Sequence, residues 1–268
     1  MSVKACVLGS PVGHSLSPKL HNHWLKAYGI DGSYVAMETP ADALREVLGD
    51  LARVGFAGCN LTLPLKETAL GLMDMLDESA KTAGAVNTVV IRDGKMTGYN
   101  SDGYGFVESL NAQAPAWNKR HAVIIGAGGA ARGIAAALKG EGVQKFGFIC
   151  RTPAKAGKVI DDLQLDGGII AAPPDDTSLL VNCTPCGMAG QPPLGIDISA
   201  LPPDAAVCDI VYRPLETPLL AAAMRRGLQT ATGLLMLLHQ GRLGFRHWFG
   251  TDPAVTPALE KEIAACAK

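Results

Sequence analysis

Residues 121–140, HAVIIGAGGAARGIAAALKG, run from a short apolar stretch through a glycine cluster into an alanine-rich segment of helical character. The next hundred residues repeat the theme. KFGFICR, GGIIAA, SLLVNCT, AAVCDIVY and LQTATG are further short apolar runs, several of them separated by helical segments such as TPLLAAAMRRG. Short apolar strands alternating with helices are the signature of a parallel sheet covered by helices. This alternation constrains the fold more than any other feature of the chain.

The glycine cluster carries a chemical reading as well. Gly126-Ala127-Gly128-Gly129-Ala130-Ala131 fits G-x-G-x-x-A between a strand and a helix. The first glycine permits a tight turn, the second lets backbone approach a pyrophosphate, and the small final residue allows close helix–strand packing. The helix N-terminus then offers free N–H groups to phosphate. At the end of the next strand, a carboxylate would bind a ribose 2′-hydroxyl and repel a 2′-phosphate. Here the chain has Cys150-Arg151-Thr152-Pro153-Ala154-Lys155, with two cations, a hydroxyl and no carboxylate. NADP is therefore expected over NAD.

With 268 residues the chain suits one large domain or two of ordinary size, and 48% hydrophobic residues can form a sizeable core. A formal net charge of −1 with scattered basic residues argues against a nucleic-acid partner. The N-terminal apolar stretch is too short for a signal peptide and no run suits a membrane span, so a cytoplasmic protein is expected. Seven cysteines, an odd number spread along the chain, do not resemble a secreted disulfide framework.

The first hundred residues read as a second α/β arrangement. KACVLG, SYVAME and GCNLTL are strands, and VNTVVIRDGKMTGYN is two strands around an Asp93-Gly94 turn. Ser17-Pro18 offers a helix start, with Ser17 as N-cap, and Leu44, Val47, Leu48 and Leu51 mark a second amphipathic helix. The last helical stretch, GLLMLLHQGRLGFRHWFG, comes after the final strand and is expected to return to the first domain. The expected architecture is α/β in two domains, with an active site in the cleft between them. Residues 1–102, completed by 235–268, make the substrate-binding domain, and residues 103–234 make a Rossmann-type NADP-binding domain.

Hydride transfer to a carbonyl needs a proton donor and groups that hold the substrate. Three polar patches could supply them: SLSPKLHN at 15–22, NLTLPLK at 60–66, and GAVNT at 84–88 together with GYNSDG at 98–103. All fall at strand ends or in the loops after them, where ligands of open α/β sheets bind.

These patches, with GAGGAAR at 126–132, N-x-T-P-x-G-M at 182–188, D-x-V-Y-x-P-x-x-T-P-L at 209–219 and G-x-x-M-L-x-x-Q at 233–240, strongly resemble the shikimate dehydrogenase family over essentially the whole chain. The resemblance implies reversible reduction of 3-dehydroshikimate to shikimate by NADPH, a step of aromatic amino acid (chorismate) biosynthesis. It implies Lys66 and Asp102 as the catalytic pair, Ser15 and Ser17 as hydroxyls for the substrate carboxylate, and Thr62, Asn87, Tyr212 and Gln240 around the substrate. On the cofactor side it implies Gly126, Ala127, Gly128, Gly129, Ala130, Arg151, Thr152, Lys155, Ile210, Gly233 and Met236, with Glu78 a weaker candidate. Two departures stand out. Cys150 occupies the place where many members have asparagine, and Ser101 replaces the commoner threonine.

Cys183 and Cys186 in VNCTPCGM invite a thiol–disulfide or zinc reading. A low-pKa redox thiol would need the start of a helix, but glycine comes directly after Cys186. A zinc site would need further ligands that no second CxxC or HxxxH supplies. No metal is expected, and the thiols are read as incidental to the loop. His21 and His23, two apart on a helix, point to different faces and cannot easily share an ion. His21 is read as structural and His23 as surface. Competing readings are a quinate or aminoshikimate dehydrogenase, a non-catalytic cofactor-binding regulator and a thiol oxidoreductase. The expected partner is a small-molecule substrate, and both monomer and homodimer suit the chain.

Overall fold

The computed structural model describes residues 2–267. The chain forms two compact units, one made of residues up to Asp102 together with Leu238–Cys266, the other of Gly103–Leu237.

The first unit contains β1 (Val3–Gly9), α1 (Ser17–Ala27), β2 (Gly32–Glu38), α2 (Leu44–Arg53), β3 (Phe56–Leu61), the one-turn α3 (Leu65–Thr68), β4 (Met75–Leu76), α4 (Glu78–Ala83), β5 (Thr88–Arg92) and β6 (Lys95–Tyr99). Its sheet has the order β2-β1-β3-β5-β6-β4. β1 pairs in parallel with β2 and β3, while β5 runs antiparallel to both β3 and β6. The β5–β6 hairpin turns at Asp93 and Gly94, whose φ values of 50° and 73° match the left-handed conformation a two-residue hairpin loop needs.

Alternation along the central strands divides the core. Cys6, Leu8, Cys59 and Leu61 face Leu44, Leu48 and Leu51 of α2. Ala5, Val7, Tyr34 and Val90 pack with Trp248 on the opposite side. Each of those fully buried leucines contributes roughly 1.5–3 kcal/mol relative to exposure.

The second unit begins with α5 (Asp102–Gln113), whose first residue belongs to the first unit. It continues through β7 (His121–Ile125), α6 (Gly129–Gly140), β8 (Lys145–Ile149), α7 (Pro153–Leu163), β9 (Gly167–Ile169), β10 (Leu179–Asn182), β11 (Ala206–Asp209), α8 (Pro218–Arg225) and β12 (Gln229–Thr232). Every strand pairing in this sheet is parallel, in the order β12-β11-β10-β7-β8-β9. β7 lies at the centre, with β8 and β9 on one side of it and β10, β11 and β12 on the other, the doubly wound arrangement. Helices α5, α6 and α7 cover one face through Leu110, Ile134, Leu138 and Val159, and α8 covers the other through Leu219 and Leu220.

α9 (Gly233–Phe249) contributes its first residues to the second unit and the rest to the first, and α10 (Pro257–Ala265) comes after it. The change of unit falls at Leu238, three residues beyond the sequence-based boundary, because a single uninterrupted helix carries the chain across. Among the described residues no helix is long and apolar enough to cross a membrane.

α1 starts one residue earlier than its sequence suggests. Leu16 occupies the N-cap position with helical φ and ψ, makes no side-chain cap, and accepts the Leu20 N–H at 3.1 Å. Burial of Leu16 holds it there. Ser17 therefore enters the first turn, and its hydroxyl is released from capping. His23 also differs from a plain surface residue, since its Nδ1 lies 2.8 Å from Glu262 of α10.

His21 is enclosed by aromatic rings. It stacks on Tyr34 at 4.0 Å between centroids and 6° between planes, with Trp24, Phe245 and Trp248 around it. Burial lowers its pKa from 6.5 to about 3, so the ring is neutral in the fold. Between those values the unfolded chain binds the extra proton, and stability falls as pH drops through the window. Replacing His21 with Phe should flatten the acid side of the stability profile by about 1.4 kcal/mol per pH unit between roughly pH 6 and 4, read from urea denaturation at several pH values.

Candidate active site

The C-terminal ends of β1 and β3 lie side by side, so the loops that extend from them share one edge of the first sheet. Thr62 continues the pairing, its N–H donating to the Leu8 carbonyl at 2.9 Å, and its own carbonyl accepts from Leu65 to start α3. Lys66 is the second residue of that turn, held through its carbonyl by the Val86 N–H at 2.8 Å. Because β5 and β6 run antiparallel to each other, the start of β5 and the end of β6 come to a common place, which brings Asn87 beside Asn100, Ser101 and Asp102.

Lys66 Nζ donates to Asp102 Oδ2 at 2.6 Å. The Asp102 side chain is 2% exposed and that of Lys66 20%, so the carboxylate is enclosed while the ammonium retains an open side. A buried carboxylate must have its lone pairs occupied. Asn87 Nδ2 donates to Asp102 Oδ1 at 2.8 Å, and the Asp102 N–H is itself held by Asn100 Oδ1 at 3.0 Å. An ammonium aimed by an enclosed anion, with further N–H donors to spare, can give a proton to an oxygen placed on its open side and take it back.

Other polar groups of the first unit keep unused hydrogen-bonding capacity. Ser15 and Ser17 are half-buried, and the Ser17 N–H rests on Ser15 Oγ at 3.3 Å. Thr62 and Gln240 are also half-buried, with no side-chain hydrogen bond among the described residues. α9 meets α1 at Gly241, the residue after Gln240, where an added Cβ would press on Leu20. Asn87 is different. It is 3% exposed, its Oδ1 accepts from Ser101 N and Thr88 Oγ1, and its Nδ2 faces Asp102 and Ser101 Oγ. Tyr212 belongs to the second unit, where burial raises its phenol above the ordinary value.

In the second unit the glycine turn comes directly after β7. Gly126 has φ of 110° and donates its N–H to the Ile149 carbonyl at 2.8 Å, a conformation that favours glycine. Gly128 is the N-cap of α6 with extended backbone and no side-chain cap, and an added Cβ there would meet nothing within 4 Å. Open space over uncapped helix N–H groups fits a dinucleotide pyrophosphate. Gly129 and Ala130 open α6 and Ala127 packs on the core, so that turn is made of residues too small to block the approach. Arg151, Thr152 and Lys155 are exposed at the end of β8 and the start of α7, and neither cation has an ion-pair partner among the described residues.

Ile210, Gly233 and Met236 line one small crevice with Cys208 and Thr232. A Cβ on Gly233 would run into the carbonyl of Ile210, so this close approach requires glycine. Next to it, Asp209 gathers three donors: Asn182 Nδ2 at 3.0 Å, the Val211 N–H at 3.0 Å and Thr217 Oγ1 at 2.7 Å. Burial raises its pKa to about 6 even against those donors. Sequence does not single out this Asp209 hub, although Asp209 and Thr217 both stand in the 209–219 motif; an acid at the end of a buried strand is the available signal.

The VNCTPCGM loop is organised by Asn182, whose Oδ1 accepts from Thr184 N and Thr184 Oγ1 and whose Nδ2 donates to the Cys186 carbonyl. Cys183 packs against the core and Cys186 sits in a turn, not at a helix start. Glu78 is remote from these groups in character. It begins α4 in the first unit with an 82% exposed carboxylate paired to Lys81 at 2.6 Å.

A doubly wound sheet with a glycine turn after its first strand, in a chain that also holds a lysine able to exchange a proton, defines the class as a nicotinamide-dependent α/β oxidoreductase. Residues 7–89 match the family model described as the shikimate dehydrogenase substrate binding domain. Shikimate dehydrogenase (NADP(+)) of Rhodospirillum rubrum is 47% identical over 271 residues, covering 97% of this chain and 96% of that protein. The crystal structure of shikimate 5-dehydrogenase from Thermus thermophilus in complex with NADP(H) and shikimate superposes with a TM-score of 0.89 at 39% identity, covering 99% of this chain and all of that one. Quinate dehydrogenase from Corynebacterium glutamicum in complex with NAD gives 0.88 at 30% identity, covering 99% and 98%. The chain belongs to the shikimate dehydrogenase family.

Two substitutions test the packing of the second unit. Gly233→Ala should destabilise the protein by about 1–3 kcal/mol through overpacking against backbone that cannot rotate away. Asp209→Ala should lower stability by about 2 kcal/mol or more, because the donors of Asn182, Val211 and Thr217 lose their acceptor in a dry site. Denaturant midpoints measured for both variants check these values.

Proposed function

We propose that this protein catalyses the reversible NADP-dependent reduction of 3-dehydroshikimate to shikimate. The observation that carries the reading is the Lys66–Asp102 pair at 2.6 Å, with its carboxylate enclosed and its ammonium open, in a chain of this family.

NADPH supplies the hydride when bound. As the ring carbonyl is reduced, its oxygen gains negative charge, and Lys66 Nζ donates a proton to it; in the oxidative direction the neutral amine takes the hydroxyl proton. Asp102 aims the ammonium and stabilises its charged form. We assign Ser15 and Ser17 to the substrate carboxylate, where hydroxyl donors suit an anion, and Thr62, Tyr212 and Gln240 to its ring hydroxyls. Asn87 acts here chiefly by holding Asp102, since its amide is already engaged.

Residues up to Asp102 with the chain from Leu238 form the substrate-binding unit in this reading, and Gly103–Leu237 the NADP-binding one. Gly126 to Ala130 would cradle the pyrophosphate, and Arg151, Thr152 and Lys155 the 2′-phosphate. Ile210, Gly233 and Met236 would form the floor beside the nicotinamide. Glu78 has no part in this assignment, because its carboxylate is exposed and paired with Lys81. A cytoplasmic protein, monomeric or homodimeric, completes the proposal, and light scattering in solution distinguishes the two assemblies.

The test is the change in nicotinamide absorbance with each pairing of NADP or NAD with shikimate or quinate. Turnover confined to shikimate and NADP is expected; a preference for quinate or NAD would reassign the substrate or the 2′-phosphate site. Lys66→Ala should lower kcat by about 10²- to 10⁴-fold with NADPH affinity nearly unchanged, as titration by fluorescence would show. Arg151→Ala should raise the KM for NADP by about 10-fold or more and leave that for NAD nearly unchanged, since the lost charge-assisted hydrogen bond serves the 2′-phosphate alone.

A further inference from the structure

A directed chain of hydrogen bonds crosses the first sheet and ends on Asp102. Tyr34 Oη, on β2, donates to Asn60 Oδ1 on β3 at 2.6 Å. Asn60 Nδ2 donates to Thr88 Oγ1 on β5 at 3.1 Å, and Thr88 Oγ1 donates to Asn87 Oδ1 at 2.9 Å. Asn87 Nδ2 then donates to Asp102 Oδ1 at 2.8 Å, and Lys66 Nζ meets the other carboxylate oxygen. Every step runs in the same sense, from phenol to carboxylate.

The polarity of the chain is determined at each link. The Asn60 amide cannot flip, because its Nδ2 also donates to the Asn87 backbone carbonyl at 3.1 Å and a flipped oxygen would face that carbonyl. The Asn87 amide cannot flip either, because the Ser101 N–H points at Oδ1 from 2.9 Å. Thr88 sits directly opposite Asn60 in the antiparallel ladder, receiving a donor on one side and facing an acceptor on the other. Its single hydroxyl proton therefore belongs to Asn87. At the far end, burial pushes the Tyr34 phenol well above its ordinary range, so it remains a donor, and its ring is clamped by the stack on His21.

The links nearest the carboxylate are dry, while Asn60 is half-buried. Thr88 is 0% exposed, Tyr34 1% and Asn87 3%, so water cannot replace a partner lost between Thr88 and Asn87. Hydrogen bonds aligned in sequence also polarise one another. From this geometry, and resting on the catalytic reading of Lys66 and Asp102 above, we propose that Thr88, supported by Asn60 and Tyr34, is a positioning residue for the reaction. Thr88 orients the Asn87 amide, Asn87 holds the Asp102 carboxylate, and the carboxylate aims the Lys66 ammonium. Thr88, Asn60 and Tyr34 act without touching substrate. Their effect is on the alignment of Nζ with the reacting oxygen, where small misplacement slows the chemical step more than it weakens binding.

The experiment compares wild type, Thr88→Val and Thr88→Ser by steady-state kinetics with shikimate and NADP, alongside thermal unfolding. Val preserves shape and removes the hydroxyl, whereas Ser restores it. Thr88→Val should lower kcat by about 10-fold with both KM values changed less than about twofold, and Thr88→Ser should recover most of the rate. Wild-type kcat in Thr88→Val overturns the proposal, as does a loss that Ser fails to rescue or one matched by an equal rise in KM. If Thr88→Val does not fold, Tyr34→Phe supplies the answer, since it keeps the stack on His21 and deletes only the phenolic hydroxyl: lower kcat at constant KM supports the chain, and unchanged kcat overturns it. An inactive wild type would instead remove the functional reading itself, and with it the proposal.

Discussion

The structure of the first unit is organised around an anion that water does not reach. Moving a carboxylate such as that of Asp102 out of solvent costs several kcal/mol unless cations and donors replace the lost hydration. Lys66 supplies the charge and Asn87 the second donor, while Asn100 secures the backbone from which the carboxylate projects. Those residues come from the ends of β3, β5 and β6 and can meet at one edge because β5 reverses direction within an otherwise parallel arrangement. The mixed sheet is thus the geometric condition for the ion pair.

The second unit holds a comparable group with a different outcome. Asp209 is also buried and also draws donors from neighbouring segments, yet these donors are fixed parts of the protein: Asn182, Val211 and Thr217. No cation meets it in that set, and its pKa lies near 6. Asp102 faces a lysine that keeps an open side, whereas Asp209 ties three segments together. The two acids differ in what they can do because they differ in whether their partner remains available to a ligand.

Much of the fold is legible in the chain itself. The parallel sheet is implied by alternating short apolar runs, and the Asp93-Gly94 pair marks a hairpin that requires left-handed backbone at both positions. The glycine turn at 126–131 is legible for the same kind of reason, since few sequences place glycines between a buried strand and a helix without a use for the space. Short elements are not legible. β4 has two residues and α3 a single turn, too brief for any periodicity to register. The start of α1 is displaced by one residue because burial of Leu16 outweighs the capping preference of Ser17, a tertiary effect that no local rule contains.

Site residues divide along the same line. Lys66, Asp102, Ser15 and Ser17 stand in recognisable motifs, and the chain by itself determined which chemistry they could perform, because side-chain type sets the available protons and charges. Asn60, Thr88 and Asn100 stand in or beside those motifs too, but sequence could not say which way their amides and hydroxyls point. That was decided by tertiary structure: pairing of β3 with β5 sets Thr88 opposite Asn60, and the folded edge turns the Thr88 hydroxyl to Asn87 and the Asn100 amide oxygen to the Asp102 N–H. The same holds for Asn87, which residue type alone would let bind a substrate and which the folded sheet has turned toward Asp102.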